Sequence, residues 1–280
     1  MKSINEFALH ILQSESLESK LEPPPKELTD TLLEVDIPKL PNREKKISFS
    51  DVKSKIPRLE HLHIPENRAI AMHHFANHEL QAIELFAWAL LKFQDIPTEN
   101  RLDLFKTLKE EQNHLKLYLA RIRELGLDFG DRPLNQIFWK FTPLMYSFPK
   151  FSAILSISLE GANLDFSLLY THVFEKFKDD VSSKIMRKIF QDELKHVKRG
   201  VKVLKSIESG NNDWEKFLSL LEFPFTPRRA KGFYFFPHTR KKVCLDNDFI
   251  ENLSLYRDEF SKRKKETIPG ELLQWGIYSG

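Results

Sequence analysis

One pattern occurs twice in this chain and leaves little freedom for the fold. Glu79 precedes Glu111 by 32 residues, and Glu160 precedes Glu193 by 33. Glu111 and Glu193 each open a Glu-x-x-His motif, completed by His114 and His196. Positions i and i+3 of an α-helix share a face, so the carboxylate and imidazole of each motif converge. Composition alone yields roughly one Glu-x-x-His by chance, so the tetrapeptide means little without its spacing. A third copy, Glu60 to His63, is boxed between Pro57 and Pro65 and is too short for a long helix.

Every residue of the pattern sits in an apolar stripe. Met72, Phe75, Glu79, Ile83, Phe86 and Leu90 recur at helical spacing, as do Leu104, Leu108, Glu111, Leu115, Tyr118, Ile122 and Leu125. Ile157, Glu160, Leu164 and Leu168 form a third stripe, and Ile185, Ile189, Glu193, His196 and Gly200 a fourth. Such stripes face a core. Burying one ionised carboxylate without a partner costs more than a domain's margin of stability. Four carboxylates facing a core are therefore a patterning error unless cations meet them. Two divalent metal ions would balance their charge, and no Lys or Arg in the stripes could do so. One Glu from each of two helices and Glu-x-x-His from each of two others is the ligand set of dimetal carboxylate bundles.

Punctuation along the chain agrees. Helical segments are expected from about Pro65 to Phe93, from Pro97-Thr98 to Leu125 before Gly126, from about Ser147 to Phe177, and from Asp179-Asp180 to before Gly210. The first and second segments, and the third and fourth, are joined by short turns. About twenty residues with Pro133 and Pro143 separate the second from the third. The expected fold is all-α: a ferritin-like four-helix bundle over 65–210, with one long crossover between its second and third helices. Residues 1–64, with Pro23-Pro24-Pro25, Pro38 and Pro41, are expected to be an extended attachment opening with an amphipathic stretch, Phe7 to Leu12. Residues 211–280 form a C-terminal extension with a helical piece around 249–265, expected to pack on the bundle and limit access to the metals.

The motifs resemble known ones. His78-Glu79-Leu80-Gln81-Ala82-Ile83 resembles the first-helix ligand motif of bacterioferritins, and Glu111-x-x-His114 and Asp192-Glu193-x-x-His196 resemble the second- and fourth-helix motifs of that di-iron superfamily. A closer resemblance, over most of the chain beyond residue 60, is to the ferritin-like family called domain of unknown function 455. It rests on His78–Leu90, Glu110–His114, Leu159–Asp165, Asp192–Val197 and Pro227-Arg228-Arg229-Ala230-Lys231-Gly232. The resemblance implies the fold and metal site but no substrate. In related bundles the acids preceding the motif glutamates bind the histidine of the opposite helix, which would pair Asp192 with His114 and Glu110 with His196. Phe86 stands where several relatives place Tyr, so no tyrosyl radical is expected there.

The expected metal ligands are therefore Glu79, Glu111, His114, Glu160, Glu193 and His196, with Glu111 and Glu193 placed to bridge and central to activity. Oxygen-rich ligation with two imidazoles suits two iron ions, with manganese or a mixed pair as the alternative. Glu84, five residues past Glu79, lies about 140° around the helix and should face elsewhere; Asp165 is a weaker supporting acid. His73, His74 and His78 read as ordinary polar positions. The leading expectation is a non-haem di-iron oxidase or oxygenase of unstated substrate and electron donor. The alternatives are metal storage and a metal-stabilised interaction module.

The stretch from Arg228 to Lys242 holds six cations and no acid, interleaved with Phe233, Tyr234, Phe235 and Phe236. Arg228, Arg229 and Lys231 could contact an anionic substrate or RNA; the competing expectation buries the aromatics and leaves the charges in solvent. A formal net charge of +3 does not by itself imply nucleic acid. The single cysteine, Cys244, excludes an intramolecular disulfide and any multi-thiolate metal site. With no apolar run of spanning length and no secretory signal in the opening residues, a cytoplasmic protein without a membrane partner is expected.

Overall fold

The amphipathic stretch near the N-terminus folds as α1 (Ile4–Gln13), capped by the Ser3 hydroxyl, which accepts from the Glu6 N–H. Phe7, Ala8, Ile11 and Leu12 are fully buried as α1 packs on α3. The short α2 (Leu17–Lys20) follows. This computed structural model describes residues 1–208 and 210–258 and the backbone of 278–279. It divides into two compact units, Met1–Thr142 and Pro143–Gly280.

The first unit centres on a helical hairpin. Pro65 opens α3 (Pro65–Lys92), where its missing N–H leaves nothing unpaired. After a turn through Pro97 comes α4 (Thr98–Glu124), packed along α3. Gly126 ends it at φ +82°, a conformation only glycine adopts freely, while the Leu127 N–H closes back on the Ile122 carbonyl. Two buried polar clusters tie residues 1–64 to this hairpin. The Arg43 guanidinium grips both oxygens of Glu84 at 2.9 and 2.6 Å, and Lys20 Nζ stands 3.2 Å from the same carboxylate. Arg101 donates to Asp30, to Asn5 and to the Leu90 and Phe93 carbonyls at the end of α3.

The second unit begins with α5 (Phe148–Ser152), which runs through a π-helical stretch, Ala153–Leu159, directly into α6 (Glu160–Lys176). Lys178 at φ +57° and Asp179, which caps by accepting from the Ser182 N–H, turn the chain into α7 (Asp180–Lys205). α7 packs against α6 and against the π-helical stretch. Gly200 permits that approach, since a Cβ there would lie 2.7 Å from the Ser156 Cβ. Beyond them lie α8 (Asp213–Leu220), β1 (Tyr234–Phe235), α9 (Pro237–Lys242) and α10 (Asn247–Leu255), with β1 pairing antiparallel to β2 (Tyr278–Ser279). The part of the expected helix beyond residue 258 lies outside the described residues. Phe217, Phe235, Val243, Phe249 and Leu253 share one core with Leu164, Phe190, Val197, Val201 and Leu204 of the hairpin.

The basic stretch departs from the expectation that its charges face solvent. Arg240 is buried and grips both oxygens of Asp165 at 2.5 and 2.8 Å; Asp165 also accepts from the Gly232 and Phe236 N–H groups. Lys231 is buried as well, with Nζ donating to the Leu253, Ser254 and Tyr256 carbonyls at the end of α10. An ammonium satisfied by three carbonyls and a guanidinium by a carboxylate have no need of water. Only Lys241 and Lys242 of the stretch's cations are exposed.

Candidate metal centre

All six expected ligands are buried, and the structure brings them together three to a unit. In the first unit, Glu79 projects from α3, and Glu111 and His114 from α4. Their ligand atoms all lie within 4.8 Å of one another. His114 Nδ1 stands 3.1 Å from Glu111 Oε2 and 3.6 Å from Glu79 Oε2. In the second unit Glu160 comes from the start of α6, and Glu193 and His196 from α7, again within 4.8 Å. His196 Nδ1 is 3.4 Å from Glu193 Oε2 and 3.8 Å from Glu160 Oε1. Ligands about 2.1 Å from an octahedral ion stand about 3 Å apart, so these separations lie near the spacing of a donor set. Each unit thus holds a buried Glu/Glu/His group positioned to bind a metal ion.

The electrostatics fit the same reading. Burial lifts the Glu79 carboxyl well above its ordinary range, and the neighbouring Glu111 carboxylate adds to the rise, while His114 opposes it. Without a cation, one acid of such a pair is pushed towards its neutral form; a divalent ion would let both ionise. In the second unit Glu193 accepts from Asn163 Nδ2 at 2.7 Å through Oε1, while its buried Oε2 makes no hydrogen bond. A carboxylate oxygen left so, facing an imidazole, is an open donor atom.

The other singled-out residues fall elsewhere. Glu84 faces Lys20 and Arg43, as its place around the helix requires, and Asp165 holds Arg240. Asp192 is buried and meets Lys188 and Lys195, while Glu110 is half-buried. His73, His74 and His78 stand outside both groups. His73 accepts from the Gly130 N–H at 3.0 Å, and burial, with His74 beside it, lowers its pKa to about 4. The His74 and His78 rings meet at 4.5 Å. Glu60 and His63 lie in an exposed 3-10 turn. Arg228 and Arg229 are half-buried, Arg228 donating to the Lys231 carbonyl.

Sequence reasoning missed Asn163, although it lies one helical turn after Glu160 and so on the same face. It also missed the Lys20, Arg43 and Arg240 partners, whose roles depend on residues far away in the chain.

The fold and site define a class: a mostly helical protein with two buried Glu/Glu/His groups positioned to bind metal. The chain belongs to the family described as Protein of unknown function (DUF455), whose sequence model matches residues 6–251. No curated protein and no solved structure matches it. None of its described helices is long and apolar enough to cross a membrane.

Proposed function

We propose that the two Glu/Glu/His groups together make one dimetal carboxylate site in a ferritin-like four-helix bundle spanning 65–210, and that the protein is a non-haem di-iron oxidase or oxygenase. The carrying observation is that both Glu…Glu-x-x-His sets, spaced by 32 and 33 residues, are buried with their donor atoms gathered. Two hairpins of such similar construction joined by a long connection, 125–147, are what this bundle type requires. Four carboxylates and two imidazoles suit iron or manganese.

Glu79, Glu111, His114, Glu160, Glu193 and His196 would hold the two ions, and bound iron supplies one-electron chemistry with dioxygen. The chain's own contribution is to gather four acids where water is scarce, so that a bound cation is what balances their charge, and to fix the imidazoles with Nδ1 towards the carboxylates. The acids Asp192 and Glu110 would orient His114 and His196 by accepting from their other ring nitrogens. Residues 211–258 hold α6 and α7 in place through the Asp165–Arg240 pair and the shared core.

Anaerobic loading with Fe(II), followed by exposure to oxygen, tests this reading. It expects about two irons per chain, oxygen uptake, and a particle of unchanged size. A large particle carrying hundreds of metals per assembly would point to storage, and bound iron inert to oxygen would point to a structural site.

A further inference from the structure

The two halves are not equivalent in what surrounds their ligands. Asn163 lies three residues after Glu160 on α6 and reaches Glu193 on α7, with Nδ2 2.7 Å from Oε1. An ionised carboxylate only accepts, which fixes the amide with its nitrogen towards Glu193. The matching position in the first unit, three residues after Glu79, is Ala82, which has no donor to offer. The Asn163 backbone carbonyl in turn accepts from the Ser167 hydroxyl at 2.6 Å.

We propose that Asn163 is a positioning residue for the metal site: it engages Oε1 of Glu193, turns the carboxylate so that Oε2 faces His196, and thereby presents a single oxygen to an ion. The inference rests on the dimetal reading above. A neutral amide is the group this task needs. It donates to an anion without adding positive charge that would compete with a metal, and it does not ionise to become a ligand itself. Glu193 Oε2, buried, without a hydrogen bond and 3.4 Å from His196 Nδ1, is the oxygen left for the metal. Orienting partners of this kind contribute about ten- to a hundredfold to metal affinity. With Ala82 opposite in the repeat, the asymmetry should appear as two ions that respond differently to one substitution.

The test uses the full chain stripped of metal and titrated with Co(II), followed by calorimetry and by visible absorption, which reports coordination number. Asn163→Leu keeps the branched shape and removes the donor; Asn163→Gln keeps the amide. The expected result is two ions in the unaltered chain. In Asn163→Leu one of the two is weakened about tenfold or more, with a changed cobalt spectrum. The other ion should be weakened less, the variant should remain folded without metal, and Asn163→Gln should restore part of the loss. If Asn163→Leu does not fold, Asn163→Ala, which lacks both donor and bulk, carries the same expectation. Two ions bound with unaltered affinities and spectrum in the donor-less variant would overturn the positioning role while leaving the dimetal reading intact. An unaltered chain that binds no Co(II) would overturn both.

Discussion

The two hairpins repeat more than their ligands. Five residues after the candidate glutamate of each first helix stands a second buried acid, Glu84 after Glu79 and Asp165 after Glu160. Five residues turn a helix by about 140° beyond a full turn, which points that acid away from the ligand face. In both units it anchors a flanking segment: residues preceding the hairpin supply Lys20 and Arg43 for Glu84, and residues following it supply Arg240 for Asp165. The chemistry differs. Glu84 is shared by two cations, whereas Asp165 is held by one cation and two backbone N–H groups. The face carrying the Glu/Glu/His group is thus duplicated, while the opposite face is secured by whichever terminal segment is near, which makes the flanking regions part of what holds each helix of a candidate site.

The largest effect should come where the comparison is least redundant. Arg240→Ala leaves the Asp165 charge buried without its cation, which costs about 3–5 kcal/mol; urea unfolding and hydrogen exchange along α6 would read it. Arg43→Ala should cost less, on the order of 2 kcal/mol, because Lys20 remains beside Glu84. Equal losses in the two variants would break the distinction between a shared and a single clamp.

A smaller effect is expected where only the second unit has a π-helical stretch. Gly200→Ala places a Cβ against Ser156 and should cost about 1–2 kcal/mol, although the same change in an exposed helix stabilises. A gain in melting temperature would mean that α7 does not need the close approach.

A further effect concerns pH. Native His73 takes up a proton only near pH 4, and the unfolded chain does so near 6.5. Between those values the unfolded state binds more protons, so stability should fall as pH drops through that window, by on the order of 2 kcal/mol from this residue. His74, lowered in the same direction to about 4, shares the window. Asp131 opposes the shift of His73 and Arg132 adds to it. His73→Gln should flatten the slope in part, and an unchanged slope would remove His73 from the account.

The four long helices were legible to within a few residues because their ends are written locally: Pro65, Pro97, Gly126 and Asp179 each act on their immediate neighbours. The burial of the six expected ligands was legible because each sits in, or one helical turn along from, a stripe whose other members are apolar. The π-helical stretch was not, since Ala153–Leu159 keeps an apolar pattern that an α-helix would also satisfy. Nor were the clamps. Arg240 and Asp165 are 75 residues apart, and a cation in a basic stretch looks solvated until its carboxylate is found. Asn163 was hidden for a different reason: an amide one turn from a ligand carries no signal of its own, and only the carboxylate it reaches reveals its use.

The most direct measurement is metal content by elemental analysis after anaerobic loading with Fe(II), in the unaltered chain and in Glu111→Ala and Glu193→Ala. One site built from both halves predicts about two ions per chain, and the loss of both ions in either variant. Unchanged stoichiometry in both variants, or a chain that takes up no metal, would contradict it.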